Sequence, residues 1–352
     1  MTGKMDVGKV VTADGPVDPG ELGRTLTHEH ILIDLTSHSR EPVDEAEREL
    51  AREPLRMELL GRARQDPLLI RDSLLIDDRD LAAEELRRFA AAGGGTVVDV
   101  STIGLRAPGP AVLREVCRAV GLRLVVPSGY YVQGTHPAEV AELTVDQLTE
   151  QFIAEARVGI GDSGIRSGII GEIGMSQPAH PDEWKVLAAA CEAQLVTGLP
   201  LCVHPYAGEA SRMAPSVARF VTEHGVDPRR LNLCHMDGHM DLAYQRRILD
   251  MGAWISFDTF GLEIFFNSPD HNHSATDLAR MEHLMDLLDL GYADQLLLSH
   301  DVCSKLQLRR YGGYGYDHVV ETIIPMLETR GLPVETARQL MVDNPARYLT
   351  IA

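Results

Sequence analysis

His28 and His30 flank Glu29 in "RTLTHEH", residues 24 to 30, a run that otherwise reads as strand. Side chains two apart on a strand share a face, so the two imidazoles point one way and Glu29 the other. One metal ion could take both, although two hydrogen-bonded polar residues would show the same spacing. Other strand ends carry similar residues: Glu172 in "SGIIGEIG", His204 in "LPLCVHP", His235 in "RLNLCHM" and Asp301 in "QLLLSHD". Alone, each has an ordinary explanation: an arginine partner for Glu172, satisfied core histidines at 204 and 235, a helix cap at Asp301. Together they do not, because a core has little reason to aim four imidazoles and two carboxylates at one end. These donors suit zinc, manganese or cobalt, and a carboxylate from a middle strand can bridge two ions. Two divalent ions about 3.5–4 Å apart hold a hydroxide between them near neutral pH, which is a nucleophile for an electrophilic centre.

Positioning these residues requires eight similar elements, and the chain supplies eight short apolar runs, at 24–30, 95–101, 122–129, 167–174, 199–205, 230–236, 253–260 and 295–301. Between them lie segments of helical periodicity such as "DLAAEELRRFAAAG" and "DEWKVLAAACEAQLVTG", several closing on a glycine. This alternation predicts an α/β fold, a (β/α)8 TIM barrel spanning residues 1–352 as one unit, with catalytic groups at the C-terminal ends of strands. No Gly-rich dinucleotide turn favours a doubly wound sheet instead. Residues 36–80 form an acidic, arginine-rich insertion after the first strand, long enough to carry helices of its own.

The formal net charge of -19 means the surface on balance repels polyanions and argues against nucleic acid as a partner. No apolar run approaches the ~18 residues of a membrane helix. The N-terminal "MTGKMDVGKVVTADG" lacks a secretory leader pattern, so a cytoplasmic protein with no membrane association is expected. The five cysteines, 117, 191, 202, 234 and 303, have no CxxC spacing and read as free thiols.

The motifs "GRTLTHEH", "GIIGEIG", "LCVHP", "LCHMD", "LLLSHDV", "RRYGGYGYDHV" and "DNPARYL" resemble the phosphotriesterase family of the amidohydrolase superfamily, from about residue 8 to the C-terminus. The resemblance implies two divalent metal ions, zinc foremost, with manganese or cobalt as alternatives. His28, His30 and Asp301 would hold the more buried ion, His204 and His235 the more exposed one, and Glu172 would bridge them. Asp301 would also accept the proton of the bridging hydroxide. Many members use a carbamylated lysine as the bridge; Glu172 resembles the glutamate branch, that of the phosphotriesterase-related proteins, linked to hydrolysis of N-acyl taurine amides. Metal assembly should then be independent of bicarbonate. The resemblance also suggests a homodimer.

Beyond the metals, Tyr130 and Tyr131 follow the third strand, where an aromatic could line the pocket. Lys305 and Arg309, with Arg310, follow Asp301 and could receive an anionic substrate group, Arg212 and Arg280 being weaker candidates. The 260–277 loop, with Phe260, Phe265 and Phe266, reads as a lid or a subunit contact, and its His271 and His273 as solvated. The expected function is hydrolysis of a small-molecule carbonyl substrate (lactone, ester or N-acyl amide) by a metal-bridging hydroxide. Phosphotriesterase or phosphodiesterase activity on the same centre and a non-catalytic binding barrel are the alternatives. GxSxG is missing, which disfavours a serine hydrolase.

Overall fold

The computed structural model describes residues 6–106, 108–206, 212–238, 240–265 and 274–352. All eight expected runs contain strands, numbered here β1 (Arg24–Glu29), β2 (Gly94–Asp99), β3 (Arg123–Val125, resuming at Pro127–Ser128), β4 (Ile169–Met175), β5 (Leu201–Pro205), β6 (Leu231–Leu233), β7 (Trp254–Phe257) and β8 (Leu296–Leu298). Consecutive strands from β1 to β8 pair in parallel. The last seam, β8 to β1, is closed differently: Asp301 N donates to His28 O at 3.2 Å, and Ser299 Oγ stands between His28 N and Glu29 Oε1.

Two apolar layers follow from period-two alternation along the strands. Val97, Leu124, Ile170, Leu201, Val203, Leu233, Leu296 and Leu298 face outward and pack with the surrounding helices in the larger cluster. Val98, Val125, Ile169, Cys202, Cys234 and Leu297 face inward and form a second cluster, closed below by Val10, Leu22, Tyr348 and Leu349. Cys202 and Cys234 thus lie within the barrel, their sulfurs 3.0 Å apart, and the chain's cysteines are free thiols as expected.

Two departures from alternation matter. Between β4 and β5 the pairing steps from Ile170↔Leu201 to Ile173↔Val203, so Gly171 and Glu172 together oppose Cys202. This bulge turns the Glu172 side chain into the barrel. Only glycine fits beside it: Gly171 has φ 107°, and a Cβ there would lie 1.9 Å from Cys202 O. A second shift, from Leu26↔Val97 to Glu29↔Asp99, sets Thr27 and His28 together opposite inward-facing Val98.

The 36–80 insertion carries helices Glu45–Leu50 and Leu60–Gln65 around a small apolar cluster of Leu55, Leu60, Ala63, Ile70 and Leu306. It is pinned to the barrel by a short antiparallel ladder, Ile33–Asp34 with Leu75–Ile76, which periodicity did not predict, nor did it predict the N-terminal hairpin Val10–Thr12/Gly15–Val17. Among the described residues no helix is long and apolar enough to cross a membrane.

Candidate metal centre

The C-terminal strand ends bring all six expected ligands together. Glu172 is central: its Oε1 is 3.5 Å from His30 Nε2, and its Oε2 lies 3.5 Å from His28 Nε2, 3.3 Å from His204 Nδ1 and 3.9 Å from His235 Nε2. Asp301 Oδ1 is 3.1 Å from His30 Nε2 and 3.6 Å from His28 Nε2. His28, His30, Glu172 and His235 are buried, while His204 and Asp301 retain exposed edges.

Three overlapping trios could each hold an ion: His28–His30–Glu172, His28–His235–Asp301 and Glu172–His204–His235. Both ring nitrogens of His28, and Glu172 Oε2, are buried without a hydrogen-bond partner. Such orphaned polar atoms are rare in folded proteins; a divalent cation in the cluster would satisfy His28 Nε2 and Glu172 Oε2, while His28 Nδ1 faces Asp258 Oδ2 at 3.4 Å. The donor set therefore fits a metal. A further trio, His28 with Cys202 and Cys234, lies on the barrel-interior side.

Local structure holds these side chains at a cost. His235 (φ 56°) and Asp301 (φ 50°) are the non-glycine residues with left-handed backbone among those described, a conformation costing about 1–3 kcal/mol each. Two buried carboxylates outside the expected ligand set, Asp258 and Glu29, hold them there. Asp258, just past β7, accepts from His235 N and Nδ1 through Oδ1, both at 2.9 Å, and its Oδ2 lies 3.4 Å from His28 Nδ1. Glu29 accepts from His300 N, His300 Nδ1 and Val302 N, gripping the residues on both sides of Asp301. Ser101 Oγ meets His30 Nδ1 at 2.8 Å, leaving His30 Nε2 facing the cluster. Asp258 stands at a strand end like the expected ligands, so the same positional rule could have found it.

Asp258→Asn should weaken metal binding about 10–100-fold, the usual cost of removing a carboxylate that orients ligating histidines. A competitive chelator titration measures this, and wild-type affinity would remove Asp258 from that role.

Electrostatics in the metal-free protein follow from this packing. Burial is the largest influence on Glu172 and pushes its carboxyl up, but His28, His204 and His30 together outweigh it and hold it at about 2. Burial likewise pushes His235 down, yet Asp258 prevails and raises it to about 9. The raised His235 stabilises the fold fully below its ordinary value near 6.5 and loses that contribution as pH climbs through about 9. The depressed Glu172 stabilises above about 4.5 and loses that contribution as pH falls through about 2. Metal-free protein should therefore melt at progressively lower temperature from pH 6.5 to 9. Over the same range the rise in melting temperature on adding metal should grow, because less of the His235 proton remains to be displaced. Scanning calorimetry with and without metal checks both slopes.

Among the expected substrate contacts, Tyr131 reaches the cluster: its Oη is 3.1 Å from His204 Nε2, and its ring packs edge-on to His38 of the insertion. Tyr130 does not. Its hydroxyl donates to Gln151 Oε1 and its ring packs beside Phe152 and His136 in the core. Two of the cations after Asp301 are ion-paired. Lys305 pairs with Asp72 of the insertion at 2.7 Å, and Arg309 makes a two-pronged pair with Asp317. In so acidic a chain carboxylates partner both of these cations. Arg280 is buried between Asp237 and Asp277. Phe266, His271 and His273 lie outside the described residues; Phe260 is buried and Phe265 exposed.

A parallel αβ barrel with this rim of histidines and carboxylates is a hydrolase architecture. The chain belongs to the phosphotriesterase family, whose model, described as "Phosphotriesterase family", matches residues 8–349. It is 34% identical over 346 residues to an N-acetyltaurine hydrolase of Danio rerio, covering 97% of this chain and 98% of that one. A crystal structure of a resiniferatoxin-binding protein from Rhodobacter sphaeroides superposes with a TM-score of 0.94 at 37% identity, covering 98% and 96% of the two chains. A variant of a Deinococcus radiodurans phosphotriesterase-like lactonase superposes with a TM-score of 0.75 at 29% identity, covering 97% and 99%. The family resemblance read from the motifs is borne out, as is the barrel.

Proposed function

We propose that this hydrolase is metal-dependent, holds two divalent ions, and cleaves a small carbonyl substrate, with N-acyl amides of amino sulfonates or amino carboxylates first and lactones second. The observation that carries the reading is the set of orphaned buried atoms on His28 and Glu172 at the centre of six convergent donors. His28, His30 and Asp301 would hold one ion, His204 and His235 the other, and Glu172 would serve both. When bound, such ions lower the pKa of water and polarise a carbonyl oxygen.

The chain's own residues supply the rest. Asp301, with an exposed edge, is placed to accept a proton on the cleft side and return it to the leaving group. If His204 ligates through Nδ1, its Nε2–H donates to Tyr131 Oη, and the Tyr131 hydroxyl hydrogen is then free to donate to the substrate. Burial pushes the Tyr131 phenol well above its ordinary value, so it keeps that hydrogen.

The Danio rerio relative's name supports an amide, and the Deinococcus radiodurans neighbour's title supports a lactone. A panel of N-acyl taurines, N-acyl amino acids, lactones and aryl phosphates, assayed on metal-loaded protein, tests the reading. Turnover confined to aryl phosphates would overturn it. The shared carboxylate also predicts that reconstitution of metal-free protein is unaffected by bicarbonate, and a bicarbonate-dependent rise in activity would contradict Glu172 as the bridge.

A further inference from the structure

We propose that the 36–80 insertion carries an oxyanion-binding site separate from the metal centre. A cavity of about 290 Å³ opens there, and Ser39, Arg40, Glu41, Arg48, Arg52 and Arg71 line it. In a chain of net charge -19, four guanidinium groups around one cavity require an explanation. Two are neutralised: Arg40 by Glu47 and Asp66, at 2.8 and 2.6 Å, and Arg48 by Glu45 at 2.9 Å. The other two have no carboxylate partner among the described residues. The Arg71 guanidinium donates to Ser39 Oγ at 2.9 Å, and the exposed Arg52 side chain makes no hydrogen bond or ion pair among the described residues.

Two unpaired guanidinium groups and a serine hydroxyl on one cavity wall are the donors that a phosphate, sulfonate or carboxylate accepts, since guanidinium forks match oxyanion geometry. Glu41 is the opposing charge and limits affinity for a simple anion. The placement has a consequence for the neighbouring site. Ser39 follows His38, whose ring packs on Tyr131, and Asp72, next to Arg71, pairs with Lys305 of the loop after β8. The occupant is an oxyanion, either free in solution or the charged end of a bound small molecule.

The test is calorimetric titration of the metal-loaded full-length protein with inorganic phosphate and with methanesulfonate. Two binding components are expected for phosphate. One should survive Glu172→Ala and be weakened at least about tenfold by Arg52→Ala/Arg71→Ala, with an unchanged melting temperature showing that the variant folds. Arg52→Ala alone, which removes no side-chain bond, should weaken the same component, and Glu41→Gln should tighten it. A free anion as occupant leaves KM for anionic and neutral substrates alike in the double variant. A substrate's own charged group as occupant raises KM for the anionic substrate alone. Wild-type protein with no component that survives Glu172→Ala, or such a component unaltered by the arginine substitutions, overturns the proposal whether or not the hydrolase reading holds.

Discussion

Glu172→Ala is expected to lower kcat/KM on the order of 10³-fold or more and to remove bound metal, while the barrel remains folded. Among the described residues the Glu172 carboxylate lies within 3.9 Å of all four imidazoles, so its loss takes a donor from both proposed ions, the one at His28, His30 and Asp301 and the one at His204 and His235. Preorganised charge at a water-excluded centre is typically among the largest contributions to catalysis, hence the size of the effect. In metal-free protein the substitution also removes the negative charge that offsets protonated His28 and His30, so those imidazoles should titrate lower. Histidine NMR resonances followed against pH read this directly. Wild-type turnover in this variant would rule out a shared carboxylate.

Glu29→Ala is expected to cost about 3–5 kcal/mol of stability, the usual consequence of breaking a buried charged network from one side. Against a typical total of about 5–15 kcal/mol, that is a large share. Glu29 takes hydrogen bonds from Ser299 Oγ, His300 N, His300 Nδ1 and Val302 N, all between 2.7 and 3.0 Å. Removing it orphans four buried donors and releases the turn that keeps Asp301 at φ 50°. His300 is fixed from both sides, because its Nε2 accepts from Val319 N while Nδ1 donates to Glu29. Activity should therefore fall together with stability. Urea unfolding of the metal-free variant measures the loss, and a change below about 1 kcal/mol would show that the seam between β8 and β1 closes without Glu29.

The residue between the two histidines thus answers for the barrel's closure rather than its chemistry. Its opposite face was legible in the sequence, since alternation separates it from His28 and His30, but its partners lie some 270 positions away and periodicity carries no such information. Strand existence was legible for the same reason that helices were: apolar runs and their spacing are local properties. Register was not. Counted from outward Leu26 and Ile170, strict alternation would turn His28 and Glu172 outward; the two bulges reverse this, and Gly171 is the only hint of them in the sequence. The pocket residues were the least legible part. Tyr130 and Tyr131 are adjacent, so they face opposite ways, and only coordinates show which one meets His204. Whether Lys305 is free or neutralised depends on where Asp72 of the insertion folds back.

The central claim is that one buried carboxylate and four imidazoles, with Asp301, grip a pair of cations. Native mass spectrometry of the purified chain, paired with elemental analysis, tests it most directly. Two divalent ions per wild-type chain, and none or one in Glu172→Ala, is the predicted result. A wild-type chain without transition metal, or a Glu172→Ala chain that still carries two ions, would contradict it.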